Sequence, residues 1–176
     1  MIDIKISGID ELCKELDFLK KRLDYRIRLA VEALLTEGYY IASYGFTNAL
    51  YSGYNDVKVP TPYWDGDTMI LRADGNAVAF IEFGTGTNYY DYPDDSVYRK
   101  LHMARHGEFG KKHGRQPRWW YKGDPGNNGR PKRHEDGTYD EVWSTSWGDP
   151  PARVMYDASK VLDREHVIEV VRRAFQ

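Results

Sequence analysis

Disulfide bonds, long apolar runs and internal repeats are all missing from this 176-residue sequence, and each absence removes a class of protein. The single cysteine, Cys13, has no partner within the chain and falls in a helical pattern, so a fold built on disulfides is excluded and an intracellular setting is expected. No apolar stretch approaches the roughly 18 to 20 residues that a membrane-spanning helix needs. The opening Met1-Ile2-Asp3-Ile4 lacks the charged-then-apolar pattern of a signal peptide, so secretion and contact with a membrane are not expected. Collagenous, low-complexity and coiled-coil-only architectures are excluded by composition. What remains is 41% apolar residues in a chain long enough for one globular domain. At this length folding removes roughly 68–70% of the unfolded surface from water, so neither a disulfide nor a structural metal is required.

Net charge is also small, at −2, but that average conceals a polarity. Arg99 to Arg133 holds eleven basic residues and two acidic ones, Glu108 and Asp124, a local +9 that leaves −11 for the remainder. His102, His106, His113 and His134 lie in or beside the same stretch. Such asymmetry concerns partners rather than fold.

Ile2, Ile4 and Ile6 alternate with polar residues and predict a short strand. Ser7 and Asp10 form a weak capping box, after which Ile9, Leu12, Leu16, Leu19, Leu23, Ile27, Ala30 and Leu34 recur at helical spacing. That stripe spans about 39 Å at roughly 1.5 Å per residue, too long for so short a chain to cover, so it either projects or meets a neighbouring subunit. Gly38 marks a bend, and helix is expected to continue toward Leu50, with Gly53 and Asn55 ending it. Met69–Arg72 and Ala77–Phe83 are predicted to pair as a hairpin through Asp74-Gly75. Residues 84 to 138 hold nine of the sixteen glycines and half the prolines, which predicts a long excursion from the sheet. Tyr139–Trp143 is read as a returning strand. Asp149 is read as the cap of a final helix carrying Val154, Ala158, Val161, Leu162, Ile168, Val171 and Phe175 on one face.

Catalytic patterns are weak. Glu82-Phe83-Gly84-Thr85-Gly86 lacks the Lys-Ser/Thr pair of a phosphate loop and opens no amphipathic helix. His102 and His106 have zinc-ligand spacing, but Met103 stands where a zinc protease needs Glu. His113, Asn127, Asn128 and His134 among basic residues suggest a metal-dependent nuclease of the His-Asn-His type, in a segment too rich in Gly and Pro for its usual scaffold. No serine lies in a nucleophile elbow. The carboxylate pairs Asp65/Asp67, Asp94/Asp95 and Glu135/Asp136 read as solvated. Trp119, Trp120 and Tyr121 among Lys111, Lys112, Arg115, Arg118, Arg130, Lys132 and Arg133 form a basic aromatic arm that suits either a protein interface or nucleic acid.

Ile81-Glu82-Phe83-Gly84-Thr85-Gly86, followed by an aromatic-rich excursion and then Trp147-Gly148-Asp149-Pro150-Pro151-Ala152-Arg153-Val154-Met155-Tyr156-Asp157-Ala158, resembles the small tail-completion (neck, minor tail component) family of long-tailed bacteriophages. The Ile4-Lys5-Ile6-Ser7-Gly8-Ile9 start is similar too. The likeness spans roughly residues 1–90 and 140–176, with Glu82, Phe83, Gly84, Thr85, Gly148, Pro151, Ala152 and Met155 as its motif positions; the segment from Tyr89 to Thr138 is longer and more basic than the family pattern. The resemblance implies a non-enzymatic virion protein without cofactor or metal, present in the host cytoplasm during assembly. It implies a homo-oligomeric ring, six-fold in expectation, that completes or terminates the tail and supports head–tail joining. Head-connector and tail-terminator or tail-tube proteins are the implied partners, with DNA in the lumen within reach of the arm. A basic metal-dependent nuclease or nucleic-acid-binding protein of phage DNA processing is the alternative. The expected fold is α+β over 1–176: a small, mainly antiparallel sheet packed by long N- and C-terminal helices, with an inserted arm at about 84–138.

Overall fold

Past Ala30 the leucine stripe of the first helix gives way to small residues, and that change decides where the helix is buried. The structure, a computed structural model, describes residues 9–85 and 118–176. The expected strand at Ile2–Ile6 and the capping Ser7 lie outside them. Helix α1 runs from Ile9 to Asn48, 40 residues without a break at Gly38, or about 60 Å at roughly 1.5 Å per residue. Leu12, Leu16, Leu19, Leu23 and Ile27 are 46–56% exposed, whereas Ala30 and Leu34 are buried. Further along, Gly38, Ala42, Gly45 and Ala49 let other backbone come close. A methyl on Gly45 would lie 2.7 Å from Val154 Cγ1, and one on Gly38 3.2 Å from Leu71 Cδ2. Gly38 is thus a packing position, not the expected bend; the helix ends at Asn48, before Gly53, and its last carbonyls are taken by side chains, Tyr44 O by Asn48 Nδ2 (2.8 Å) and Phe46 O by Asn55 Nδ2 (2.7 Å).

Strands β1 (Tyr63–Asp65) and β2 (Thr68–Ile70) pair antiparallel around Gly66, whose φ of 60° suits only glycine well. This hairpin docks on α1: Arg28 pairs with Asp67 (3.1 Å) and lies 4.5 Å over the Trp64 ring, while Trp64 Nε1 donates to Glu32 (2.9 Å). The hairpin expected through Asp74-Gly75 does not form. Val78–Phe83 is helix α2, and Asp74 instead makes an isolated bridge with Lys58. A six-residue run that is apolar except for Glu82 fits a buried strand or a short helix equally well, and Asp56 decides between the two. Its carboxylate accepts from Asn76 N and Ala77 N, both at 2.9 Å, and so starts α2 from a distant loop.

Strands β3 (Trp119–Lys122), β4 (Arg130–Arg133) and β5 (Tyr139–Ser146) form a three-stranded antiparallel sheet in the order β3-β5-β4. The last part of the expected excursion is therefore sheet. Pro131 is tolerated because β4 is an edge strand. The C-terminal region is also divided where one helix was expected: α3 (Val154–Ser159), a 3-10 turn (Lys160–Leu162) and α4 (Arg164–Ala174). Asp163, not Asp149, is a helix cap, accepting from Glu165 N at 3.1 Å. Ala42, Phe46, Ala49, Ala77, Ile81, Val154 and Ala158 make the core, so α1, α2 and α3 meet there. The class is α+β, with two small antiparallel sheets among the described residues. Among the described residues no helix is long and apolar enough to cross a membrane.

Candidate functional site

The two motifs meet in space. Glu82, at the end of α2, is only 3% exposed, and its carboxylate accepts from Met155 N (2.8 Å) and Tyr156 N (3.1 Å). These amides belong to the first turn of α3, whose own capping residue, Arg153, offers no side-chain acceptor and sits at φ 54°. A carboxylate from another element thus satisfies helix-start donors that would otherwise be orphaned, where the helix dipole also favours negative charge. Backbone bonds tighten the same contact, with Ala152 N donating to Ile81 O (2.8 Å) and Arg153 N to Glu82 O (3.2 Å). Gly84 has φ 73°, and a methyl there would come within 2.6 Å of Asp149 O, so only glycine fits. Ala152 and Met155 pack against the core, and Pro151 lies against Gly84.

Thr85 continues the junction. Thr85 N donates to Asp149 O (2.9 Å), Asp149 N donates back to Thr85 O (3.1 Å), and Thr85 Oγ1 donates to Asp149 Oδ2 (2.8 Å). Asp149 is 1% exposed, and its carboxylate also accepts from Ser52 N (2.6 Å), Ser52 Oγ (2.9 Å) and Asn128 Nδ2 (3.1 Å). All these donors are neutral. A buried carboxylate is tolerable only when so fully hydrogen-bonded, because its desolvation is otherwise costly. Burial, together with the nearby charge of Asp149, pushes the hydroxyls of Tyr51 and Tyr121 up to about 12. The position read from sequence as a helix cap is therefore the hub that ties α2, β5 and the end of α1 together.

Asn127 and Asn128 serve the same hub. Tyr51 N donates to Asn127 Oδ1 (2.6 Å), Asn127 Nδ2 donates to Ala49 O (2.7 Å), and Asn128 Nδ2 donates to Gly148 O (3.2 Å). Asn127's amide thus closes the end of α1 and Asn128's binds Gly148 and Asp149, while His134 stands apart, 3.5 Å from Asp140. His102, His106 and His113 lie outside the described residues, as do Asp94 and Asp95. Among the described residues no group of three or more His, Cys, Asp or Glu is placed to hold a metal. The carboxylates of Asp65, Asp67, Glu135 and Asp136 are in exposed positions. Ser52, Thr85 and Ser146 gather around Asp149, all four of them buried, and among the described residues no histidine is hydrogen-bonded to Asp149. The cluster acts as a joint between elements.

Of the arm, Lys111, Lys112 and Arg115 fall outside the described residues. Trp119 contributes its backbone to β3, and Trp120 follows it, 40% exposed. Arg118 lies over the rings of Trp120 (4.9 Å) and Trp147 (5.3 Å), and Lys132 Nζ lies over Trp120 (5.2 Å). Tyr121 turns inward, while Arg130 and Arg133 are exposed on β4. Sequence reasoning missed Ser52 and read Asn128 as part of a nuclease pattern, since a serine and an asparagine in a loop carry no signal of the buried carboxylate they serve. No protein-family model matches the chain, and no curated protein or solved structure matches it either.

Proposed function

We propose that the chain is a structural, non-enzymatic protein of the neck or upper tail of a long-tailed bacteriophage, forming a ring that completes or terminates the tail and supports head–tail joining. The observation that carries this reading is the junction: Glu82, Gly84 and Thr85 bind directly to the Gly148–Tyr156 segment. The two stretches on which the likeness rests are one structural unit, so their order and spacing have a physical cause. The bare leucine stripe of α1 supports assembly. Five large aliphatic side chains that are about half exposed leave the kind of apolar surface that protein contacts cover. Opposite charge in the arm and in the rest of the chain suits a head-to-tail contact between successive copies, which closes into a ring.

In this reading the arm reaches an adjacent subunit or the head connector, with Trp119, Trp120 and Tyr121 as anchors. Reversing the charges of Lys111, Lys112, Arg115 and Arg118 together is expected to yield folded protein that fails to support head–tail joining in a complementation assay. Wild-type joining by that variant would remove the arm from the assembly role.

A further inference from the structure

The outer face of the three-stranded sheet carries a pattern that the neck reading uses only in part, through Arg118 and Trp120, and leaves Lys122, Trp143 and Trp147 unassigned. Cross-strand pairing puts Trp120, Thr145 and Arg130 in one row and Lys122 and Trp143 in the next. Arg118 and Trp147 extend the same face by ring contact, and Lys132 reaches Trp120. Trp120, Trp143 and Trp147 are 40%, 42% and 55% exposed, although tryptophan usually hides its rings. Around them stand four cations, Arg118, Lys122, Arg130 and Lys132, none of which makes an ion pair with a described carboxylate. Glu141 shares the alternation of Trp143 but lies two residues further toward the β4–β5 turn.

We propose that this face binds single-stranded nucleic acid. The cations divide from the rings in a way that fits such a ligand. Arg118 is held against two indoles, which orients its guanidinium while leaving its N–H edge for a phosphate. No described cation covers Trp143, so its ring offers a platform on which an unpaired base stacks. On one strand face alternate residues recur about every 6.6 Å, at roughly 3.3 Å per residue, so Arg118, Trp120 and Lys122 line a track for an extended backbone. A duplex keeps its bases stacked on one another and gains nothing from the rings, and an acidic protein segment needs the cations alone. The inference stands independently of the neck assignment.

The test is a fluorescence-anisotropy titration of the full chain with a labelled oligothymidylate of about 12 nucleotides, a length suited to one binding surface. A duplex of equal length and polyglutamate are titrated in parallel. The single strand is expected to bind at least about tenfold more tightly than either, with quenching of tryptophan fluorescence. Between about 50 and 200 mM salt, log K should fall against log salt with a slope of up to about −2.8 for four neutralised phosphates. Trp143→Ala should weaken binding about tenfold without changing that slope, with Trp143→Phe restoring most of it. Lys122→Ala should instead reduce the slope by about 0.7. Equal binding of duplex or polyglutamate, or Trp143→Ala binding as wild type while Trp143→Phe and Lys122→Ala remain folded by circular dichroism, overturns the proposal.

Discussion

Glu82 and Asp149 are buried acids that each accept hydrogen bonds from backbone amides, and the consequences of altering them differ by what each would strand. Glu82→Ala removes the acceptor for two helix-start amides at once, and at about 1–3 kcal/mol for each buried polar group left unsatisfied it is expected to cost roughly 2–6 kcal/mol. Glu82→Gln keeps one acceptor oxygen and should cost less; urea denaturation of the two variants side by side checks the order. Gly45→Ala pushes a methyl to 2.7 Å from Val154 and should destabilise by about 1–3 kcal/mol, whereas the same change paired with Val154→Ala should recover most of the loss. Asp56 offers a pH prediction. Backbone hydrogen bonds from Asn76 and Ala77 hold its carboxyl below the usual range. Its contribution is complete above the unfolded value, about 3.9, and is lost as pH falls through the lower folded value. Denaturation midpoints of wild type and Asp56→Asn should therefore differ at pH 6 and converge toward pH 3. A constant difference across that range would contradict the assignment.

At the scale of the element, α1 is two helices in energetic terms. Its second half is locked by Phe46 and by glycines against α3, so Phe46→Ala should cost about 3–5 kcal/mol. Leu16→Ala, in the exposed half, should change the stability of the separated chain by less than about 0.5 kcal/mol. Amide exchange should divide in the same way, fast from residue 12 to about 25 and slow beyond Ala30. The long helix was legible in the sequence because a period of three and four over many residues has no competing interpretation, and length alone predicted that part of its stripe would be uncovered, though not that Ala30 and Leu34 would be buried. Val78–Phe83 was not legible. Six residues are too few for periodicity to separate strand from helix, and the deciding partner, Asp56, is far away in sequence. The sheet strands Trp119–Lys122 and Arg130–Arg133 were hidden by a composition of cations and Pro that resembles loop. The motif residues Glu82 and Thr85 were identified from sequence, but their bond to Met155, Tyr156 and Asp149 belongs to tertiary structure. Asp149 illustrates the same limit, since an Asp before Pro-Pro is a fair helix cap until a loop serine and Asn128 converge on it.

For the whole molecule, the proposed ring would use the exposed leucines of α1, the basic face of the sheet and the acidic remainder as surfaces for different neighbours. Self-association should therefore depend on α1. Leu16→Lys with Leu19→Lys is expected to leave the fold intact by circular dichroism and to shift the protein from assembled species to monomer in sedimentation velocity. The central claim, that the chain completes a phage tail and supports its joining to the head, is tested most directly by electron microscopy of particles made without it. The account predicts DNA-filled heads and tails lying apart, restored to joined particles when the protein is supplied. Tails of normal length still joined to full heads in its absence would contradict it.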